Sequence, residues 1–163
     1  MNAANSAAAA YRVRPAAPED APLLHALVRE LADYEHLAHE VASTPAAFAE
    51  HLFGERAFAR ALLAFTTGDA ATGDAVGFAV WYPTYSTFAG RPGAFLEDLF
   101  VRVEHRRRGV GGLLFDAFAA DAAARGCRRL EWRALNWNAP ALAFYRRRGA
   151  AVLDDWLTLR MEV

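Results

Sequence analysis

Leu96-Glu97-Asp98-Leu99-Phe100-Val101 and, a short connection later, Arg106-Arg107-Arg108-Gly109-Val110-Gly111-Gly112 are the stretches whose reading decides the fold. The first is apolar apart from two adjacent carboxylates and predicts a buried strand, part of a longer one over about 94–103. The second breaks that pattern with glycines. Beyond it, Leu114, Phe118 and Ala122 form one row of a helix expected over about 110–125, which Gly126 can end. A strand, a glycine turn and a helix in that order gather amide N–H groups at the helix start. There the helix dipole and the neighbouring arginines favour an anion such as a pyrophosphate. Taken alone, the stretch also fits an ordinary glycine turn with solvated arginines. Its spacing is not that of the dinucleotide fingerprint, and it lacks the Gly-Lys-Ser/Thr ending of a Walker loop.

Upstream, Tyr11-Arg12-Val13-Arg14 alternates as a strand. Pro15 and Pro18 then lead into a helix over about 19–34, with Leu23, Leu24, Leu27, Val28 and Leu31 as its apolar stripe. Thr44-Pro45 caps a second helix that Gly54 ends. Residues 59–66 and 76–85 read as strands of a hairpin, joined across the turn-rich Gly68-Asp69 to Gly73-Asp74. Downstream, 129–134 reads as a strand, Asn138 caps a helix running to Arg148, Gly149 stops it, and 156–161 reads as a final strand. The expected order is β-α-α-β-β-β-α-β-α-β, an α/β (mixed α+β) fold. It forms one domain over 10–163 behind a flexible tail at 1–9.

The 163 residues are 55% hydrophobic and 12% aromatic, enough for one substantial core and too few for two full domains. A net charge of −1 gives no global attraction to nucleic acid or to an anionic membrane. No apolar run approaches the roughly 18 residues of a spanning helix. The lone Cys127 cannot form an internal disulfide and no secretory signal pattern is visible, so the cytoplasm is the expected compartment. All 18 basic residues are Arg, a compositional bias that lowers the weight of any single one. His25, His36, His39, His51 and His105 share no metal-ligand spacing, and no metal is expected. Cys127 lacks a neighbouring base and reads as a small buried residue rather than a nucleophile.

Adjacent strand residues face opposite sides of a sheet, so one of Glu97 and Asp98 can line a cleft while the other makes structural hydrogen bonds. Arg106-Arg107-Arg108-Gly109-Val110-Gly111 resembles the Arg/Gln-x-x-Gly-x-Gly/Ala acetyl-CoA motif of the GNAT superfamily. Leu96 to Val101, Asn136-Trp137-Asn138 and Phe144-Tyr145-Arg146-Arg147-Arg148-Gly149-Ala150 come in that superfamily's order. Glu30-Leu31-Ala32-Asp33-Tyr34-Glu35 and Phe53-Gly54-Glu55 look like its spermidine/spermine (diamine) branch. The resemblance implies a splayed, mostly antiparallel mixed sheet flanked by helices. Acetyl-CoA would pair like a strand beside Leu99, Phe100 and Val101, with its pyrophosphate on Arg107, Arg108, Gly109, Val110, Gly111 and Gly112 and with Arg106 adjoining. Asn138 and Arg148 would be further cofactor contacts, Tyr34, Glu35 and Glu97 would face an amine, and Tyr145 would protonate the CoA thiolate. Diamine-type relatives also imply a homodimer.

The chemistry has its own logic. An alkylammonium has a pKa near 10, so exposing its lone pair at pH 7 costs about 4 kcal/mol, and a nearby carboxylate can take the proton. Glu97 is the candidate. Attack on a thioester then creates an oxyanion, which a strand N–H can stabilise, and a thiolate that a phenol such as Tyr145 can serve. Tyr82-Pro83-Thr84-Tyr85-Ser86-Thr87-Phe88 occupies the loop where polyamine-preferring members resemble Tyr-Asp-Pro-Trp, with Ser86 in place of the acidic residue. Ser-Thr there looks more like the thialysine-type members. The reading is therefore direct acetyl transfer to a small-molecule primary amine, a lysine-like amino acid or a short diamine. Long polyamines, protein N-termini or lysines, and a non-catalytic CoA-binding regulatory domain are the alternatives.

Overall fold

The computed structural model describes residues 10–67 and 73–162. The tail expected over 1–9 and most of the turn between the hairpin strands lie outside the described residues. Five strands and four helices come in the order β1 (Tyr11–Pro15), α1 (Ala21–Tyr34), α2 (Pro45–Phe53), β2 (Arg60–Thr66), β3 (Ala75–Ser86), β4 (Arg91–Val101), α3 (Val110–Ala124), β5 (Leu130–Trp132) and α4 (Ala139–Arg147). The strands lie side by side in chain order, antiparallel throughout except for the parallel β4–β5 pair. The strand expected over 76–85 forms as β3 and runs one residue further, to Ser86, whose Oγ accepts from the Ala89 N–H in the turn to β4, so most of the stretch from Tyr82 to Phe88 likened to a substrate loop is strand. Apolar, aromatic and β-branched residues before the turn outweigh Pro83.

The chain divides into two compact units at Trp132/Arg133. In the first, the sheet carries a helix on each face. Leu24, Leu27 and Leu31 recur at helical spacing along α1 and pack with Leu63, Phe65, Phe78, Val80 and Phe100. Each fully buried leucine contributes about 1.5–3 kcal/mol. On the other face Trp81 of β3 meets Phe118 of α3, and Phe115 of α3 meets Trp132 of β5. The end of β4 is tied back to α1 by Arg102, whose Nε and Nη2 donate to the two oxygens of Glu30 at 2.8 and 2.5 Å while Nη1 donates to Ala75 O.

β4 is irregular in two ways, and both shape the site. Val80 pairs with Asp98 and Trp81 with Leu96, so Glu97 is an extra residue, a β-bulge. The parallel pairing with β5 extends only over Ala94–Leu96, so beyond the bulge, among the described residues, β4 has β3 as its one paired strand.

In the second unit Asn138 caps α4, its Oδ1 accepting from the Ala141 N–H at 3.3 Å, and Gly149 at φ 81° turns the chain beyond the helix. The final strand expected at 156–161 does not form; those residues carry no regular structure, and Trp156, Leu157, Leu159 and Met161 are exposed. Apolar character alone does not make a strand. A strand needs an edge to pair with, and among the described residues the regular element of this unit is a helix.

Candidate active site

The site is built around the end of β4 and the turn into α3. Arg102 N–H donates to Val76 O and so faces β3. By the alternation of an antiparallel ladder, Val101 and Leu99 direct their peptide groups to the opposite edge, the one β5 does not reach. The peptide groups of Phe100 face β3, and its buried ring belongs to the α1 core. On the open edge the Val101 C=O accepts from Arg106 Nε at 2.8 Å.

Beyond β4 the backbone folds into a cradle. Arg107 at φ 60° and Gly109 at φ 87° are both left-handed, a conformation that costs a non-glycine residue about 1–2 kcal/mol. The turn thereby bends the chain directly into α3, where Val110 is buried and anchors the helix start. Among the described residues, none of the amides from Arg107 to Gly112 makes a backbone or side-chain hydrogen bond of standard geometry within the chain; the first amide of the ladder is that of Leu113, donating to Gly109 O. A run of uncommitted N–H groups at the N-terminus of a fifteen-residue helix, flanked by the exposed Arg107 and Arg108, is an anion cradle. A methyl group on Gly111 would meet only Val101 Cγ2, at 3.8 Å, so that position is open above the cradle.

The acidic part of the site lies on the α1 face. Asp98 is opposite Val80 and two residues before Phe100, so its side chain projects toward α1. It is partly buried, and among the described residues its carboxylate accepts no hydrogen bond. Burial, then the charges of Glu97 and Glu35, push its pKa up to about 7. Glu35, just past α1, is also raised, by burial. Glu97, the bulged residue, is exposed. The structural hydrogen bonds expected of the second carboxylate are therefore absent from Asp98, and the bulge brings both acids and Glu35 into one neighbourhood. Tyr34, next to Glu35 in the chain, has the Arg106 guanidinium 4.2 Å from its ring centroid. Arg106 thus points back over α1 rather than into the amide cradle. Glu35 also lines a cavity of about 340 Å³ with Val28, Leu31, Leu37, Glu40 and Val41.

In the second unit, Tyr145 packs edge-on to Phe144 with centroids 5.1 Å apart, and the Arg148 guanidinium lies 5.0 Å from the Phe144 centroid. Cys127 is buried, its thiol donating to Gly93 O at 3.2 Å. Asp98 and the Glu35-lined cavity are the parts that sequence reasoning left unassigned. The Glu97-Asp98 pair was the only signal for the first, and for the second only Glu35 was named, through the resemblance and without the cavity it lines.

Residues 24–150 match the family model described as the acetyltransferase (GNAT) family. The chain belongs to that family. It is 32% identical to the thialysine N-epsilon-acetyltransferase of Mus musculus, with 94% of each chain covered. It is 30% identical to the L-ornithine N5-acetyltransferase of Arabidopsis thaliana, covering 92% of this chain and 83% of the relative. Among solved structures, an aminoglycoside acetyltransferase from an uncultured soil metagenomic sample, in complex with sisomicin, superposes with a TM-score of 0.76. It is 17% identical over 94% of this chain and 96% of that one, a likeness of fold. The protein is an N-acetyltransferase of amines. Among the described residues no helix is long and apolar enough to cross a membrane.

Proposed function

We propose that this enzyme transfers the acetyl group of acetyl-CoA to the primary amine of a lysine-like amino acid or a short diamine, by direct attack and without an acyl-enzyme. The observation that carries this reading is the juxtaposition of the amide cradle at Arg107–Gly112, the open edge of β4 at Leu99 and Val101, and carboxylates on the adjoining strand. The cradle fits a pyrophosphate, with Arg107 and Arg108 adding positive charge, and the open edge fits the amides of a pantetheine arm. When bound, acetyl-CoA supplies the thioester carbonyl. The chain's own residues do the rest: Glu35 and Glu97 attract the ammonium, Leu31 and Val28 give its methylene stem an apolar wall, and a β4 N–H on the open edge stabilises the developing oxyanion. Tyr145 is assigned the thiolate's proton, with Asn138 and Arg148 as further contacts to the cofactor, on the family pattern of Asn136 to Ala150. The sole cysteine, Cys127, is committed to Gly93 O, which supports transfer without a cysteine intermediate.

The test is an amine panel with thiol release as readout, joined to calorimetry with CoA. Turnover is expected with lysine analogues and ornithine-like diamines above spermine and above peptides. Gly111→Ala should leave the free protein's fold unchanged, because its methyl meets only Val101 Cγ2, whereas Gly111→Asp places a carboxylate against phosphate and should weaken CoA at least about tenfold. Unchanged affinity in the Asp variant would remove the cradle assignment. A cytoplasmic homodimer completes the proposal. The large apolar side chains exposed at Val152, Leu153, Trp156, Leu157, Leu159 and Met161 support pairing. Light scattering at micromolar concentration should give twice the chain mass, and a monomer would refute it.

A further inference from the structure

We propose that Asp98, set on the α1 face by the bulge at Glu97, is the catalytic residue that accepts the substrate's proton, with Glu97 and Glu35 as its positioning neighbours. This rests on the acetyl-transfer reading of the site and names the base within it.

The bulge is what makes Asp98 available. In a regular strand Glu97 and Asp98 would face opposite sides, and one would be lost to the site. The extra residue at Glu97 leaves Asp98 aligned with Val80 and Phe100 on the α1 face and keeps Glu97 close enough to act on it by charge. Asp98 sits partly buried in a strand whose same-face neighbours are apolar, with no side-chain hydrogen bond among the described residues. A carboxylate placed this way costs stability unless an arriving group satisfies it, and the group it suits is a cation with protons to give. Among the described residues, the charges that act on Asp98 are Glu97 on β4 and Glu35 just past α1, and the titratable and charged groups next to these are Tyr34 at the end of α1 and Arg106 from the following turn. Arg106 stacks over the Tyr34 and Phe100 rings with its Nε on Val101 O. Among the described residues, neither Arg106 nor any other cation donates to Asp98.

Basicity then suits Asp98 to the step. Moving a proton from an ammonium of pKa near 10 to an ordinary aspartate is uphill by about a millionfold, and to a carboxyl near 7 by about a thousandfold. Glu97, on the bulge, is exposed, whereas Asp98 is partly buried. In the transfer step an N–H bond of the ammonium breaks and its proton passes to an Asp98 oxygen. The freed lone pair forms the C–N bond as the C–S bond breaks, and the second amine proton leaves nitrogen while the thiolate gains one. Asp98 returns its proton to solvent after the amide departs.

The experiment is the pH dependence of kcat and kcat/KM for the full chain with its best amine, in wild type, Asp98→Asn, Glu97→Gln and Glu35→Gln. The wild-type kcat/KM should rise through an acid limb near pH 7, reporting the free enzyme's base. Asp98→Asn should lose that limb and about a hundredfold to ten-thousandfold in kcat. Glu97→Gln and Glu35→Gln should keep the limb but move it to lower pH, because each removes a negative neighbour that holds the Asp98 proton. A purely structural Asp98 would not give those shifts. Retention of the limb and of kcat in Asp98→Asn, or loss of the limb in Glu97→Gln alone, would overturn the assignment. Should Asp98→Asn fail to fold, an unmoved limb in both glutamine variants overturns it just as well. Wild-type enzyme with no turnover on any amine would instead sink the acetyl-transfer reading, so the two failures are distinct.

Discussion

Asp20, just ahead of α1, receives Arg14 Nη1 and Nη2 at 2.6 and 2.9 Å and the Ala17 N–H at 2.7 Å. Asp98, on β4, has two glutamates for neighbours and no donor among the described residues. Both are withdrawn from water on the α1 side of the first unit, and burial raises the proton affinity of each. At Asp20 the Arg14 hydrogen bonds overcome that effect and hold the carboxyl below the usual aspartate range. At Asp98 nothing opposes it, and the neighbouring charges add to it. One aspartate fastens β1 to the start of α1; the other is left with unspent proton affinity. The same residue type thus serves stability in one place and reactivity in the other, and partners decide which.

The two aspartates should show opposite pH linkage. The folded-state pKa of Asp98 is raised, so its contribution to stability is fully present below about pH 3.8 and is lost as pH climbs toward 7. Asp20 is depressed, so its contribution is present above about pH 3.8 and is lost as pH falls through its folded value. The largest effect is therefore expected for Asp98→Asn at pH 8. It should stabilise the protein by up to about 4 kcal/mol, the gap from about 3.8 to about 7, and by little at pH 4. Asp20→Asn should do the reverse, costing about 2–3 kcal/mol at pH 7 and less under acid. It leaves Arg14 without its anion, although Arg14 is itself substantially exposed. Urea unfolding across that pH range measures both. Variants that shift stability in the same direction at pH 8 would erase the distinction.

Much of this arrangement was legible in the sequence, because it rests on local signals. The glycines at 109 and 111, the Thr44 and Asn138 caps and the leucine stripe of α1 each act within a turn or two of chain, and they placed the helices to within a few residues. The order of elements came from them. What could not be read depends on contacts distant in sequence. The bulge at Glu97 is a property of how β3 and β4 register, so alternation alone assigned Glu97 and Asp98 to opposite faces without saying which lines the cleft, and the resemblance made Glu97 the favoured base. The stacking of Arg106 on Tyr34 joins residues far apart in the chain, and a motif reading sends that arginine to a phosphate instead. The missing strand at 156–161 fails for the same reason: its apolar residues were visible, its partner was not.

The most direct test is a carboxyl ¹³C titration of the free protein with aspartate side chains labelled, assigned through Asp98→Asn and Asp20→Asn. Asp98 should titrate near 7, move lower in Glu97→Gln, and stand well apart from Asp20, whose midpoint should fall below the ordinary aspartate value of 3.8. An Asp98 that titrates with the ordinary aspartates near 3.8 would contradict the account.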